Sequence, residues 1–505
     1  MFEAALNALA DLASPMAILY LFIGIAMGLV VGLLPGLNGV TGLAILLPFV
    51  FGQEPANGIA MLIGASAVCT TSDMFPAVLL GVPGSSSSQA TIMDGYPLAQ
   101  RGQAARALGA GLSASCLGGV LGAVVLAVVV VVAAPIIYAF GSPELFMLAL
   151  LGLSTVGLLS TGRTSTSLLV AAIGLLIGSI GAAPGSPAYR FTFDQLYLYN
   201  GLDLTIVALG LFAIPEILDL VRSGKAISKV RTDGAGIRSG IGDTRRNLGL
   251  VGRSSVLGAF IGFLPGLSGS VVDWVTYAVA KRTLKGADKS FGTGDIRGII
   301  APESAASARE GGALIPTLLF GIPGSNQMAV LLGAFLTLGI QVGPDMLGKD
   351  LEVTYTIIWT IAIANVIATI CCLVFAQQIA KISAISGRAL FGFLLILCCL
   401  AAYQASFKMA DIVVFLGLGV LGWLMKHAGW ARPPLLIGFV LAEPVERYLH
   451  ISVSRFGFSW LSHWLVIVIG VCIIAVVFAG PIGNAVRKVN PRAPKKDDAR
   501  DTVAK

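Results

Sequence analysis

The sequence predicts an all-α polytopic membrane protein built from two tandem repeats. Three observations carry that prediction. The 505 residues are 56% hydrophobic and only 12% charged, where a soluble chain carries roughly 25% charged residues. Apolar runs of about 20 residues recur along the chain, each long enough to cross a bilayer. Two Gly/Pro motifs appear twice, in the same order. A mean hydropathy of +0.88 excludes an ordinary soluble protein, a disordered chain and a nucleic-acid binder.

The first apolar run, from Met16 to Leu34, lacks the basic flank of a secretory signal and reads as a retained span. Gly24, Gly28, Gly32 and Gly36 follow one another at i, i+4, as do Ser254, Gly258, Gly262 and Gly266. Small residues at that spacing make a smooth stripe on which a second helix packs closely.

Each stripe ends in a break. Gly32-Leu-Leu-Pro-Gly-Leu-Asn-Gly39 recurs as Gly262-Phe-Leu-Pro-Gly-Leu-Ser-Gly269, 230 residues on. Phe75-Pro-Ala-Val-Leu-Leu-Gly-Val-Pro-Gly-Ser85 recurs as Ile315-Pro-Thr-Leu-Leu-Phe-Gly-Ile-Pro-Gly-Ser325, 240 residues on. The longer basic loop Lys281 to Arg297 absorbs the ten-residue difference. A weaker match sets Ile214-Pro-Glu216 against Pro444-Val-Glu446. The expected organisation is a first membrane repeat over 1–221, a basic cytoplasmic linker over 222–253 and a second repeat over 254–456. An extra C-terminal membrane helix over 457–482 and a basic cytoplasmic tail over 483–505 follow. Roughly 10–12 membrane segments are expected, some broken or re-entrant.

Charge sets the orientation. No Lys or Arg precedes Arg101, eight lie between Arg222 and Arg253, and seven follow Gly483. The positive-inside rule places linker and tail in the cytoplasm. A first half that starts outside and ends inside makes an odd number of crossings. The second half is then inverted, and the extra helix returns the tail to the cytoplasm.

Pro removes a backbone donor and Gly admits unusual φ/ψ, so a Pro-Gly pair breaks a helix. Within a bilayer such a break persists only where protein or a watery cavity surrounds it. Matched breaks in two halves point to a transporter's central site. The candidate substrate- or ion-binding residues are therefore Pro35, Gly36, Asn38, Gly39, Thr41, Pro83, Gly84, Ser85, Ser86, Pro265, Gly266, Ser268, Gly269, Asp273, Pro323, Gly324, Ser325 and Asn326. Helix N-termini there suit a carboxylate. Side-chain and carbonyl oxygens suit sodium, with Asn38, Ser268 and neighbouring carbonyls as the expected ligands. The bland reading of the breaks is a set of structural kinks, which would not need the Ser and Asn that follow each one.

Intramembrane carboxylates are costly and functional by default. Asp73, Asp94, Asp273, Glu303 and Glu310 lie in or near spans. Asp273 reads as a cation or proton site, or as an interfacial or Arg-paired residue. Glu303 after Pro302 reads as a helix cap. Arg190, Arg297 and Arg309 read as interfacial anchors rather than substrate ligands. The seven cysteines read as small buried hydrophobes, and the three histidines have no metal-ligand spacing. No Gly-x-Ser-x-Gly elbow and no GxxxxGK[ST] loop occurs, so neither an enzyme nor an ATP motor is expected and no cofactor is needed.

At these motifs the chain resembles the tripartite tricarboxylate transporter family, large membrane subunit of TctA type. The matching residues are Gly32 to Gly39, Met93-Asp-Gly-Tyr-Pro-Leu-Ala99 with Gly102 and Leu108-Gly109, and Gly262 to Gly269. Ala301-Pro-Glu303, Gly311-Gly-Ala-Leu-Ile-Pro316 and Gly321-Ile-Pro-Gly-Ser325 continue the pattern, which runs to about Phe458. The resemblance implies a cation-coupled secondary carrier of the bacterial inner membrane. It implies import of tricarboxylates or related organic acids with sodium, or alternatively protons. It also implies two partners, a small membrane subunit of TctB type and a periplasmic solute-binding protein of TctC type. Four departures stand out: Thr70-Thr-Ser-Asp73 for Tyr-Gly-Gly-Ser, Gly81 for Asn, Ser304 to Ala308 for Ala-Asn-Asn-Ala, and Arg297 for an acid. They fall on polar lining positions and bear on which acid is carried more than on transport. The alternatives are an organic-anion channel, or a sodium- or proton-coupled carrier of another solute class. A membrane enzyme or an assembly scaffold would not need four matched breaks.

Overall fold

The computed structural model describes residues 1–33, 39–85, 87–137, 141–159, 164–184, 188–215, 217–218, 234–264, 269–382, 392, 395–396, 398–400, 402–403 and 407–475. These residues are almost wholly helical, with a single two-stranded hairpin, Gly181–Ala182 against Tyr189–Arg190. Among the described residues, five helices are long and apolar enough to span a membrane: Pro15–Leu33, Pro55–Leu80, Ala104–Ala133, Leu351–Val374 and Met409–His427. Six shorter apolar helices accompany them. Large apolar side chains lie on the outer surface as well as in the core. Val124, Val128, Val131 and Val132 face outward on one long helix, while Thr71, Ser72, Ser115 and Ser307 are buried.

The first half opens with α1 (Phe2–Leu12) and α2 (Pro15–Leu33). After residues 34–38, α3 (Gly39–Leu46) runs back along α2, and a Cβ on Gly42 would touch Val31. Next come α4 (Pro55–Ser72) and α5 (Met74–Leu80), then a Ser-rich loop, α6 (Thr91–Gln100) and α7 (Ala104–Ile137). Helices α8 (Ser142–Leu159), α9 (Thr164–Gly178) and α10 (Leu204–Ala208, continued by a π turn over Leu209–Ala213) complete it.

The second half begins with α11 (Gly234–Arg246) and α12 (Leu248–Phe263), so a membrane helix starts inside the segment read as linker. Helix α13 (Gly269–Thr283) follows, then a short α14 (Ala287–Ser290). Helix α15 (Arg297–Phe320), a loop, α16 (Asn326–Thr337) and α17 (Leu351–Val374) come next. Helices α18 (Ala376–Ile382), α19 (Met409–His427), α20 (Pro433–Phe456) and α21 (Trp464–Ala475) end the described chain.

The small-residue stripes do what their spacing predicts. A Cβ on Gly28 or Gly32 would stand 2.5 Å from the carbonyl oxygen of Ala65 or Cys69, so α2 lies against α4 backbone to backbone. Gly258 and Gly262 meet the carbonyls of Ala305 and Arg309 in the same way, setting α12 on α15. The two helix pairs obey the sequence offsets: 28 and 32 become 258 and 262, while 65 and 69 become 305 and 309.

Contacts between loops define two ends. At the basic end, Arg106 Nε donates to Asp243 at 2.6 Å. Asp94 Oδ1 accepts the backbone NH groups of Gly292, Gly294 and Asp295 at 2.8–2.9 Å. The Tyr277 hydroxyl donates to Asp94 Oδ2 at 2.8 Å. Asp94 thereby fastens the loop after α13 to α6, which is a structural task for an acid otherwise suspected of a functional one. At the opposite end, Asn7 donates to Glu352 at 2.9 Å and Trp359 Nε1 to the Ala5 carbonyl at 2.9 Å. Asp11, Ser14, Glu54 and Glu352 line one shallow pocket there. Helices α2 and α3 start from and return to this acidic end. Helices α12 and α13 start from and return to the basic end. The two pairs therefore enter from opposite ends.

Candidate functional site

Two loops, after α5 and after α15, are built alike. Gly81 and Gly321 each end their helix at φ +65°, a left-handed conformation that favours glycine. The Val82 NH donates to the Pro76 carbonyl at 3.3 Å, and the Ile322 NH to the Pro316 carbonyl at 3.0 Å. The chain then folds back on its own helix. A Cβ on Gly84 would stand 2.5 Å from the Asp73 carbonyl, and one on Gly324 would stand 2.7 Å from the Ala313 carbonyl. Pro83-Gly84-Ser85 and Pro323-Gly324-Ser325 thus lie against equivalent points of their helices.

Beyond that backbone the loops differ. The Ser85 hydroxyl donates to Asp73 Oδ2, and Ser85 Oγ also accepts the Ser87 NH at 3.0 Å. Ser325 instead caps α16, its Oγ accepting the Met328 NH at 3.3 Å. Asp73 has Ala313 as its counterpart, so only the first loop carries an acid.

The first loop, and the helix that follows the second, each meet the helix pair of the other half. The Gln327 side chain lies against Gly39 at the start of α3. Asp273 on α13 accepts the Ala90 NH through Oδ2 at 2.5 Å. Gln89 accepts from Trp274 Nε1 at 3.3 Å. Between these contacts lies a buried charged cluster. Asp73, Asp273, Glu303, Arg309 and Glu310 are 1%, 0%, 1%, 5% and 2% exposed, so water screens none of them. Arg309 Nη2 pairs with Glu310 Oε1 at 2.5 Å. The Thr70 hydroxyl stands 3.5 Å from the same oxygen. The Thr91 hydroxyl donates to Glu303 Oε1 at 2.6 Å. A neutral layer adjoins the cluster, with Ser115 joined to Ser307 at 2.6 Å and to Thr71 at 3.2 Å, and Thr71 to Asn365 at 3.4 Å.

Several polar atoms are left over. Asp273 Oδ1, Arg309 Nε, Glu310 Oε2 and Asn326 Oδ1 are buried without a hydrogen-bond partner among the described residues. Such orphans are rare in native interiors. Among the described residues no three His, Cys, Asp or Glu side chains are grouped to hold a metal ion.

Of the sequence-predicted residues, Gly39, Pro83, Gly84, Ser85, Asp273, Pro323, Gly324, Ser325 and Asn326 fall within this region, while Thr41 and Gly269 are buried on the adjoining α3 and α13. Pro35, Gly36, Asn38, Ser86, Pro265, Gly266 and Ser268 lie outside the described residues. The sodium ligands expected from Asn38 and Ser268 are among these. Two readings change. Glu303 is not a cap of its own helix, because it sits a turn and a half inside α15 and binds Thr91 at the start of α6. Arg309 is not an interfacial anchor, because it is buried and paired with Glu310. Arg190 and Arg297 are partly exposed and paired with Glu446 and Asp295 at 2.6 Å each. Arg309 and Glu310 were legible as charges inside an apolar run; their convergence with Asp73 was not.

The family model for the tripartite tricarboxylate transporter TctA family matches residues 18–437. The "Uncharacterized 52.8 kDa protein in TAR-I ttuC' 3'region" of Agrobacterium vitis is 32% identical over 438 residues, covering 86% of this chain and 87% of that protein. The "Uncharacterized protein in TAR-II ttuC' 3'region" of the same organism is 32% identical over 192 residues, covering 38% of this chain and 79% of that protein. No solved structure matches the chain. The matched span takes in both helix pairs, both Pro-Gly-Ser loops and the charged cluster between them, and on that match the chain belongs to the tripartite tricarboxylate transporter TctA family.

Proposed function

We propose that this chain is the large membrane subunit of a tripartite, cation-coupled carrier that imports a small organic acid across a bacterial inner membrane. The observation that carries the reading is the meeting of two Pro-Gly-Ser loops with two helix pairs that enter from opposite ends. A site reached from both ends, but through different elements, is what alternating access requires. The offset-matched contacts Gly28–Ala65 and Gly258–Ala305 support two repeats, and the opposite entry of the helix pairs supports their inversion. The basic end is then cytoplasmic and the acidic end periplasmic. Partners of TctB and TctC type, the second delivering substrate to the acidic end, follow from family membership.

The chemistry is binding and release of an unchanged solute. The guanidinium of Arg309, whose Nε has no partner among the described residues, supplies a donor for a carboxylate. Sodium is the coupling ion that the small oxygen-bearing side chains favour. The buried carboxylates favour a proton as the second reading.

The test is uptake of labelled tri-, di- and monocarboxylates into vesicles that hold the chain with both partner subunits, with and without a sodium or pH gradient. Gradient-dependent accumulation above equilibrium supports the carrier. Equilibration without accumulation under any gradient would make it a channel. No movement of any acid would remove the organic-acid reading.

A further inference from the structure

The Arg309–Glu310 pair leaves one face of each partner open. Arg309 Nη2 is bound to Glu310 Oε1, while Arg309 Nε and Glu310 Oε2 are buried with no partner among the described residues. Both side chains are more than nine-tenths buried, at 6% and 3% exposure. One ion pair thus carries both an unfilled donor and an unfilled acceptor. Gly262, near the end of α12, makes room for the Arg309 stem: a Cβ there would stand 2.9 Å from Arg309 Cγ. From the other half, the Thr70 hydroxyl reaches Glu310 Oε1 at 3.5 Å, and Asp73, about one turn further along that helix, is bound by Ser85.

We infer that this pair is an exchange switch that sets the coupling of the carrier, an inference that rests on the organic-acid reading above. In the empty carrier the two side chains neutralise one another. A substrate carboxylate reaches Arg309 at Nε, takes over the guanidinium and displaces Glu310. The freed carboxylate has no water to screen it and stands beside Asp73. It is therefore tolerated only with a cation, which the open Oε2 accepts. One cation, a proton or a sodium ion, enters with each substrate carboxylate that Arg309 holds. When the substrate leaves toward the cytoplasm, Arg309 returns to Glu310 and expels the cation to the same side. No separate cation pathway is needed, because each ligand stabilises the bound form of the other. The arrangement belongs to one half alone: the positions 240 residues earlier are Cys69 and Thr70, which carry no charge.

Two measurements test this. The first needs no substrate. Infrared spectra of the full chain in lipid are compared for wild type, Arg309→Gln and the double variant Arg309→Gln/Glu310→Gln. Removing the arginine forces Glu310 to take a cation. Arg309→Gln is therefore expected to show either a new protonated-carboxyl band or a sodium-dependent carboxylate shift, and the double variant neither. Identical spectra for Arg309→Gln and the double variant, with and without sodium, would overturn the switch.

The second uses the vesicle assay, with citrate as first probe and the carboxylate panel after it. Glu310→Gln is expected to equilibrate the transported acid without concentrating it, whatever the gradient. Arg309→Gln is expected to lose uptake at least tenfold, with partial rescue by Arg309→Lys. Glu310→Gln vesicles that accumulate the acid as wild type does would overturn the switch. If wild type moves no acid, the organic-acid reading fails, and the infrared comparison still decides whether Glu310 takes a cation when its partner is lost. The double variant keeps a neutral pair of nearly the same shape, so its folded yield separates a structural role from a coupling one.

Discussion

The Thr70 hydroxyl stands 3.5 Å from the Glu310 carboxylate, and the two residues are 240 positions apart, the offset at which the Pro-Gly-Ser loops recur. Equivalent positions of the two halves thus face each other. There the symmetry of the backbone is kept and the symmetry of charge is broken. Backbone contacts matched at the same offsets set the geometry, and the charges of Asp73, Arg309 and Glu310 have no counterpart at the matching positions.

Two glycines of α12 separate packing from propensity. A Cβ at Gly258 would collide with the Ala305 carbonyl, whereas nothing lies within 4 Å of one at Gly252. Gly258→Ala is expected to destabilise the protein by about 1–3 kcal/mol through overpacking. Gly252→Ala is expected to be neutral or to gain up to about 1 kcal/mol of helix propensity. Thermal unfolding in detergent checks both, and a Gly258→Ala protein as stable as wild type would count against direct backbone packing of α12 on α15.

Asp94 holds three backbone NH groups and one hydroxyl. Asp94→Ala leaves those donors without their acceptor, at a cost of about 3 kcal/mol or more if they stay buried. Tyr277→Phe removes one bond and is expected to cost about 1 kcal/mol. The expected signature is faster proteolysis within 284–296 in the alanine variant, with the phenylalanine variant intermediate. Equal cleavage rates in all three proteins would show that Asp94 does not hold the loop.

Ser85 joins the first loop to Asp73. Ser85→Ala removes a hydrogen bond to a buried carboxylate, at a cost of about 1.5–3 kcal/mol of stability. Thermal unfolding in detergent is expected to show that loss, and uptake is expected to fall because the loop is no longer tied to Asp73. Uptake equal to wild type would take Ser85 out of the site.

The loop before α15 supplies a pH test outside the membrane. Burial opposes the charge on Asp295, but hydrogen bonds from Arg297 and Ser290 outweigh it and hold its carboxyl below the usual carboxylate value. A folded-state value below the unfolded one, about 3.9, means that the unfolded chain binds more protons in acid. The stabilisation is complete above about pH 5 and lost as pH falls through the folded value. Arg297→Gln is expected to flatten the acid limb of a stability profile below pH 5. An unchanged limb would show that the pair contributes nothing there.

Much of the fold was legible because a bilayer imposes strong rules. Helix length, the lack of charge and the i, i+4 glycines each follow from having no water to satisfy a backbone. The contacts of Gly28 and Gly258 could be read from spacing, since a helix face is fixed by its period. Ser85 and Asp273 could be named, because a polar residue beside a break in an apolar run has few other uses. Glu303 and Arg309 were misread for a physical reason. Their local sequence resembles a helix start and a membrane border, and only neighbours from distant segments, Thr91 for one and the Gly262 notch for the other, give them their places.

The sequence by itself determined the membrane environment, the matched breaks and the charge asymmetry, because composition and periodicity act through local rules of solvation. Which buried charges meet was decided by tertiary structure alone. Asp73 and Arg309 are 236 positions apart, and Asp273 and Ala90 are 183 apart. Their approach depends on how four glycine-lined helices stack, and electrostatic energy in a low-dielectric interior varies steeply with distances that no spacing along the chain records.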